Sequence, residues 1–380
     1  MSTTNDLPIH VYHPRTLGTW SIEAQRLDLG EGYKPSLALL PDGELVLVSL
    51  DHTGDPAAGT YTESMPLRRS TDGGRTWTEP HSAADVIGRE QWLSCSRDGT
   101  LFISSHLLEQ DTNNRAGITH SYLHRSTDGG RTWARTRILL EGKARGGATA
   151  EKTSHTSRNV VELPDGTLLF GVSLNGTDVA YLWCSVDGGR TWDTSQRVDI
   201  GTYGGRPYDN LDGFFCEDFT YLTQRGDLIH WLRCGPPSPL FPMENGRAVP
   251  CGNDNIDRTL VCRSADGGRT WSDLVDFGDY GMHYIRPLRL ADGRLLVTYT
   301  QRSTLYPLGL RAIVSYDDGD TWDFSADQIV IEGKTPWGMV QGGGFGNTLQ
   351  LADGGLISCY SYRAADKNTY VEVVRWRLPK

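Results

Sequence analysis

The chain has 380 residues, and its 37 Lys and Arg residues against 47 Asp and Glu residues give a formal net charge of −10 at pH 7. An acidic surface argues against the phosphate backbone of a nucleic acid as the main partner. No apolar run approaches the roughly 18 residues of a membrane-spanning helix, which argues against a membrane partner.

Taken in chain order, the first 20 residues contain neither the basic region nor the apolar region of a secretory signal. We therefore expect a cytoplasmic location. The stretch 18–26 is similar to the end of one of the repeats described next, followed by a strand. It predicts an outer strand whose partners lie elsewhere in the chain.

An octapeptide containing Asp-Gly-Gly or Asp-Asp-Gly recurs along the chain. Its copies are STDGGRTW at 70–77 and 126–133, SVDGGRTW at 185–192, SADGGRTW at 264–271 and SYDDGDTW at 315–322. A second series of turns alternates with it, at Gly43, Gly99, Gly166, Gly226, Gly293 and Gly354, and strand-like apolar runs flank these turns. A repeat of about 60 residues with glycine-marked turns is typical of a radial array of sheets.

The repeats predict an all-β fold, a six-bladed β-propeller that occupies residues 1–380 as one domain. Strand 1 of successive blades is expected to begin near residues 33, 91, 157, 217, 285 and 346. The last repeat has room for only three strands, so residues 19–29 are predicted to pair beside residues 370–378 and complete the last blade. Such closure removes the free sheet edges that invite aggregation.

The octapeptides themselves are predicted to be structural. Their glycines supply the positive φ that the turn needs, and the Asp and Ser or Thr side chains can bond the turn backbone. Their tryptophans are expected to pack against the blades rather than to bind sugars.

Strand alternation places all the short turns on one face of the propeller and all the long connections on the other. Function is expected on the second face, because long loops on a rigid scaffold commonly carry sites. The chain segments closest to the axis on that face open strand 1 or end strand 2 of each blade. The openers are Tyr33-Lys34, Glu90 to Trp92, His155 to Arg158, Glu217-Asp218, His283 to Arg286 and Phe345 to Asn347. The enders are Asp51-His52, His106, Asn175, Arg233, Arg302 and Arg363.

This set is rich in charge, and charge near a channel is costly without a partner. Arg233, Arg302 and Arg363 end strand 2 in consecutive blades and are expected to converge on a ligand carboxylate, which guanidinium groups bind well. The alternative is that each Arg pairs with a neighbouring acid, such as Arg233 with Glu217. The predicted substrate-binding residues are Lys34, Arg158, Arg233, Arg286, Arg302 and Arg363.

The octapeptides resemble the Asp boxes of the sialidase (neuraminidase) superfamily, and the resemblance covers nearly the whole chain. It implies three arginines on the substrate carboxylate, a Tyr nucleophile activated by a Glu, and an Asp acid/base. The family motif of blade 4 is similar to Glu217, Gly226 and Arg233 here. Lys34 stands where the family has its first Arg, and Phe345 stands where its Tyr is expected.

Other positions of the family pattern have weaker matches. Arg311 is the only nearby candidate for the third Arg, and it lies too close to Ser315 to align well. For the acid/base, the loop 51–64 offers Asp51, Asp55 and Glu63. The predicted catalytic residues are Glu217, Asp55, Tyr284, His155 and His283.

Three functions follow as hypotheses. The first is an exo-glycosidase acting on an acidic or otherwise unusual terminal sugar, with Glu217 as nucleophile or base and Asp55, Glu63 or Glu151 as the second carboxylate. The second is a uronate lyase, in which Arg286 or Arg302 would neutralise the carboxylate while His155 or His283, together with Tyr284, would move protons. The third is a non-catalytic glycan-binding propeller.

The sequence indicates no metal site and no cofactor. Seven cysteines without a C-x-x-C pair predict neither a disulfide framework nor a zinc site. The Asx-rich stretch 253–257 lacks the Gly and Glu of an EF-hand loop. Carbohydrate is the expected partner.

Overall fold

The structure is a computed structural model that describes residues 24–55, 58–107, 120–138, 154–174, 180–208, 214–234, 243–244, 247–248, 258–278, 281–302, 308–332, 344, 346–364, 366 and 368–379. Its regular elements are strands, apart from one turn of 3₁₀ helix at Phe324–Ala326. Asp323 caps this turn by accepting a hydrogen bond from the backbone N–H of Ser325. In the described ranges no helix is long and apolar enough to cross a membrane.

The repeats fold into six antiparallel sheets, and the predicted six-bladed propeller is confirmed. The innermost strands are Tyr33–Leu39, Arg89–Cys95, Ser154–Thr156 with Val161–Glu162, Phe219–Leu222, Met282–Arg289 and Thr348–Gln350. The second strands are Leu45–Thr53, Leu101–Leu107, Leu168–Leu174, Leu228–Cys234, Leu295–Gln301 and Leu356–Arg363. All six inner strands begin within three residues of the predicted positions.

The outer halves of the blades follow the same order. The third strands are Pro66–Ser70, His120–Ser126, Ala180–Ser185, Arg258–Ser264, Gly309–Ser315 and Thr369–Trp376. The outer strands are His81–Ser82, Ala134–Ile138, Val275–Phe277, Gln328–Glu332 and Gln25–Glu31. In blade 3 the outer strand is reduced to a bridge from Tyr181 to Arg197 and another from Cys184 to Asp193. Short additional strands are Thr62–Ser64, Asp199–Ile200, Thr202–Tyr203, Arg206–Pro207, Met243–Glu244, Arg247–Ala248 and Thr270–Trp271.

The N-terminal strand closes the last blade, as predicted. Gln25–Glu31 runs antiparallel to Thr369–Trp376, with Gln25 opposite Arg375 and Glu31 opposite Tyr370. The paired segment therefore starts at Gln25, and residues 19–23 lie outside the described residues.

The apolar core lies between neighbouring blades. One cluster joins Val46 and Leu67 of blade 1 to Leu93, Leu101 and Trp133 of blade 2. Because both faces of each sheet contact a neighbour, the second strands are apolar at successive positions rather than at alternate ones. Residues 45–48 show this pattern, since all four residues are apolar and buried.

The octapeptides form tight turns held by their own side chains. In the third copy, Ser185 donates to Asp187 Oδ1 at 2.9 Å, and Asp187 accepts from the backbone and hydroxyl of Thr191 at 2.9 and 2.7 Å. Gly74 in the first copy has φ +82°, and a Cβ there would collide with Ile357 of the last blade. The turns therefore bring their glycines close against the neighbouring blade.

Arginines of the third strands connect successive octapeptides. Each donates to a glycine carbonyl in the octapeptide of the next blade. The pairs are Arg69 with Gly129 at 2.5 Å, Arg125 with Gly188 at 2.6 Å and Arg263 with Gly319 at 2.6 Å.

The octapeptides should affect stability without affecting chemistry. We expect Asp187→Ala to lower the melting temperature by a few degrees, because it removes the acceptor that holds the turn. Backbone and hydroxyl hydrogen bonds from Thr191 also hold the pKa of Asp187 below its usual range. Thermal denaturation and kinetics of the folded fraction check this. A change in kcat with an unchanged melting temperature would contradict a structural role.

Candidate active site

The inner strands open on a set of side chains that meet at the propeller axis. Two equivalent asparagines fix the alignment between blades, since Asn159 bonds the backbone of Thr220 and Asn347 bonds that of Leu37. Arg158 and Gly346 directly precede these asparagines. Together with the residues at the same position in the other four blades, they form what we call the axial ring. Its members are Lys34, Glu90, Arg158, Glu217, Tyr284 and Gly346.

The backbone of the axial ring is unusual. Lys34, Glu90, Glu217 and Tyr284 have φ of 47°, 59°, 55° and 56°, a left-handed conformation that non-glycine residues rarely adopt. The pairing register of the inner strand shifts beside Lys34, Glu90 and Tyr284. Such strain costs on the order of 1–3 kcal/mol for each residue and clusters at functional sites. The same distortion turns these side chains out of the regular strand alternation.

Four consecutive members of the axial ring alternate in charge, namely Lys34, Glu90, Arg158 and Glu217. Lys34 Nζ contacts the Glu90 carboxylate and lies 3.3 Å from Glu217 Oε1. Arg158 Nη2 lies 2.7 Å from Glu90 Oε2 and 3.2 Å from Glu217 Oε1. Because Lys34 of blade 1 reaches Glu217 of blade 4, on the opposite side of the propeller, these contacts cross the axis.

Glu217 also pairs with Arg233, which ends the second strand of the same blade. Burial raises the pKa of Glu217, but Arg233, Lys34 and Arg158 outweigh burial and hold this pKa well below its usual range. Burial likewise opposes ionisation of Glu90, and Lys34 and Arg158 overcome it, so that the pKa of Glu90 is also lowered. Both carboxylates are therefore ionised at neutral pH.

The neighbour of Glu217 points away from the axis. Asp218 is fully buried, accepts a hydrogen bond from Ser157 at 2.8 Å and lies 3.6 Å from His230 Nδ1. Burial raises its pKa. Asp218 belongs to the packing between blades 3 and 4.

Glu63 is part of a separate ion pair. Its side chain is fully buried, lies 3.2 Å from Arg89 Nη1 and accepts a hydrogen bond from Tyr61 at 2.8 Å. Arg89 Nε in turn lies 3.8 Å from Glu90 Oε1. Glu63 therefore acts on the axial ring through Arg89.

Tyr284 lies among buried cations. The Arg302 guanidinium is 5.1 Å from the centre of its phenol, and Arg302 is fully buried. The Arg286 guanidinium is 5.7 Å from the same phenol and 4.5 Å from the Trp92 indole. Arg286, which the sequence predicts to bind substrate, is buried, with 3% of the residue exposed.

The predicted histidines are at two places. His155 is half-buried, with its imidazole 5.8 Å from that of His106 and perpendicular to it. Burial lowers the pKa of His106 well below its usual range. His283 is buried, and its imidazole lies 5.6 Å from the phenol of Tyr284.

The remaining candidates contribute less to this arrangement. Asp55 is exposed in a turn where its backbone N–H bonds Thr60 Oγ1 at 3.1 Å. Asp51 accepts a hydrogen bond from the backbone N–H of His52 at 2.8 Å. Arg363 is half-exposed at the end of the second strand of blade 6. Glu151, Asn175 and Phe345 lie outside the described residues.

Glu90 is the residue that sequence reasoning passed over. It was recognised as an opener of blade 2, but the resemblance to sialidases pointed to the loop 51–64 for a second carboxylate. The sequence feature that indicates Glu90 is its position, because Glu90 stands at the start of blade 2 as Glu217 stands at the start of blade 4. In the described part of the chain, no group of three His, Cys, Asp or Glu side chains is arranged to hold a metal ion.

Residues 106–323 match the model of a family described as the BNR repeat-like domain. The chain belongs to this family. A sialidase of Micromonospora viridifaciens is 30% identical over 210 residues, which cover 47% of this chain and 31% of that relative. The chain thus spans about a third of the length of the relative. The family match, this relative and the fold together place the chain among the propellers of the sialidase superfamily.

Solved structures share the fold at low sequence identity. An α-L-arabinofuranosidase of Fusarium graminearum has a TM-score of 0.61 at 15% identity, covering 92% of this chain and 97% of that one. An intramolecular trans-sialidase of Ruminococcus gnavus has a TM-score of 0.60 at 14% identity, covering 93% and 97%. The relatives with named activities act on carbohydrates, so the superfamily is glycosidase-like.

Proposed function

We propose that this chain is an exo-glycosidase that removes a terminal sugar carrying a negative charge. The observation that carries the proposal is Glu217, an ionised carboxylate at the axis in contact with Lys34, Arg158 and Arg233. A buried carboxylate kept ionised suits a nucleophile or a general base. The named activities of the relatives support hydrolysis of a glycosidic bond at the level of the superfamily.

The charge of the cluster supports an anionic substrate. Lys34, Arg158 and Arg233 place three positive charges around Glu90 and Glu217 at the axis. Arg233 is the most open of the three cations, with 26% of its side chain exposed. A substrate carboxylate can bind its guanidinium by charge-assisted hydrogen bonds.

The shape supports attack at a chain end. The axial ring lies at the centre of the face with the long connections, and Arg286, Trp92 and Phe219 pack together beneath it. A sugar that enters along the axis meets this layer of side chains. A layer that closes the axis beneath Glu217 suits a terminal sugar that enters end-on.

Glu90 is proposed as the second carboxylate. One nitrogen, Arg158 Nη2, contacts Glu90 Oε2 at 2.7 Å and Glu217 Oε1 at 3.2 Å, so these oxygens lie no further apart than the sum of the two distances. That separation is below the roughly 6.5–9.5 Å of inverting glycosidases and favours a retaining course. A substrate anion that engages Lys34 or Arg158 weakens their hold on Glu90 and raises its pKa. Glu90 can then protonate the leaving oxygen while Glu217 attacks.

Arg233 provides the first test. We expect Arg233→Ala to lower kcat/KM by about 10-fold to 100-fold on an anionic terminal sugar, because a charge-assisted hydrogen bond contributes about 1.5–3 kcal/mol. The measurement is kinetics on a panel of terminal sugars, with and without a carboxylate. Arg190→Ala, an exposed arginine in the third octapeptide, is the control and should be fully active. Equal rates for Arg233→Ala and the parent on every anionic sugar would exclude this role for Arg233.

A uronate lyase is the second candidate, and the surroundings of Tyr284 favour it. Two guanidinium groups lie within 5.7 Å of the Tyr284 phenol, which would transfer a proton in the lyase hypothesis. Elimination yields an unsaturated uronate that absorbs in the ultraviolet, whereas hydrolysis does not. An absorbing product would therefore replace the first proposal with this one. Binding without turnover across the panel would instead favour a glycan-binding propeller.

A further inference from the structure

A cavity of about 260 Å³ lies on the axis, on the far side of Arg286 from the axial ring. The inner strands of all six blades line it. Its wall includes Leu37, Leu93, Val160, Phe219, Arg286 and Leu349, one residue from each blade. Leu39 and Leu349 also line the cavity, and both lie a few residues before a glycine-marked turn. The cavity therefore extends away from the face that carries Glu217.

Arg286 places an uncompensated charge at this cavity. It is 3% exposed, and Nη1 donates to the backbone carbonyl of Ile285 at 2.9 Å. Nε is buried without a hydrogen-bond partner, and within the described residues no carboxylate forms an ion pair with this guanidinium. A buried charge without a partner is costly, which makes this position unusual for a structural arginine.

The surroundings of Arg286 leave one edge of its guanidinium without a hydrogen-bond partner in the described residues. Trp92 and Phe219 lie 4.5 and 5.4 Å from the guanidinium carbon, and Tyr284 lies 5.7 Å away. Nη1 is already used by Ile285, so Nε and Nη2 remain. These two nitrogens form the edge of a guanidinium that binds a carboxylate in a bidentate manner.

Burial and the charges near Arg286 together change the pKa of its guanidinium. Burial is the main cause that lowers the pKa of Arg286, to about 9, and the positive charge of Arg158 adds to the effect. Asp218 and Glu217 offset this effect only in part, because Glu217 is engaged by three other cations and Asp218 faces Ser157 and His230. An anion at the unpartnered edge would remove the remaining cost.

We infer that the axial cavity is a second binding site, distinct from the Glu217 site, which takes a small carboxylate such as formate or acetate on the Nε and Nη2 edge of Arg286. The bound anion neutralises Arg286 and links the inner strands of the blades around it. It reaches Arg286 from the side of the glycine-marked turns, so a sugar at Glu217 does not have to leave first. Its role is to stabilise the propeller.

The test measures the melting temperature in sodium acetate against sodium chloride at equal ionic strength. A ligand that binds only the folded state raises the melting temperature with its concentration, and we expect a rise of roughly 2–4 °C at saturating acetate. Arg286→Met should abolish the difference between the two salts. Arg135→Met is the matched control, because Arg135 is an exposed arginine beside the phenol of Tyr122, and it should keep the difference.

A structural readout covers the case in which Arg286→Met does not fold. Crystals of the parent chain soaked with bromoacetate should show an anomalous bromine peak in the axial cavity beside Arg286. Identical melting curves in the two salts, or no bromine peak at Arg286, would overturn the inference. Arg233→Ala separates the two sites, since it should impair the turnover proposed at Glu217 and leave the acetate effect intact.

Discussion

Glu217→Gln should lower kcat by about 100-fold or more while substrate binding is largely kept. The amide preserves the size of the side chain and one of its two acceptor oxygens, but it can neither attack an anomeric carbon nor accept a proton. Because three cations hold the carboxylate ionised, the parent enzyme starts with the reactive form already present. The loss should therefore appear in kcat rather than in KM.

Asp218→Asn is the matched control for Glu217→Gln. It changes the adjacent carboxyl, which contacts Ser157 and His230 rather than the axis. We expect a lower melting temperature and an unchanged kcat in the folded protein. If Glu217→Gln turns over normally, this form of the glycosidase proposal is wrong, and His155, His283 and Tyr284 become the groups to test.

Asp327→Ala should produce the largest loss of stability, about 3–5 kcal/mol. Asp327 Oδ2 and Oδ1 lie 2.5 and 2.6 Å from Arg311 Nε and Nη2, and Tyr299 donates to the same carboxylate. Both side chains of the ion pair are fully buried. Removing the carboxylate leaves the Arg311 charge in the interior of blade 5 without its main partner.

Blade 6 offers a matched comparison, because it carries the same three groups with the charges exchanged between strands. Tyr360 and Glu372 occupy the positions of Tyr299 and Arg311, and Arg26 of the N-terminal strand takes the place of Asp327. Arg26 is 30% exposed, so Glu372→Ala leaves a charge that water can reach. Thermal or denaturant unfolding should show a clearly smaller loss for Glu372→Ala than for Asp327→Ala. Equal losses would show that burial of the remaining charge does not set the cost.

The buried group of Tyr299, Arg311 and Asp327 in blade 5 also bears on one prediction from the sequence. Arg311 was the only candidate near the fifth octapeptide for the third arginine of the sialidase pattern. It lies inside blade 5, bound to Asp327, and not at the axis. Arg302, which follows the second strand of that blade, lies 5.1 Å from the ring of Tyr284.

The propeller could be predicted because its signals are local. Each octapeptide determines its own turn through contacts within four residues, as between Asp187 and Thr191. Each glycine-marked turn sets the register of the hairpin around it, and this repeated chemistry gives the number of blades and their closure by the N-terminal strand. Glu217 was also accessible from the sequence, because a motif and a strand position both indicated it.

The arrangement of charges at the axis needed the tertiary structure. Lys34, Glu90, Arg158 and Glu217 are separated by more than 50 residues from one another along the chain, and they meet only because the propeller closes into a ring. Glu63 and Glu90 are both acids near the start of a strand, yet one is bound by Arg89 and the other lies at the axis. Arg158 and Arg286 both lie close to the start of an inner strand. Arg158 is a member of the axial ring, whereas Arg286 follows the left-handed Tyr284 by two residues and lies below the ring. Local sequence does not encode these differences, because they depend on which neighbours the other blades bring to each side chain.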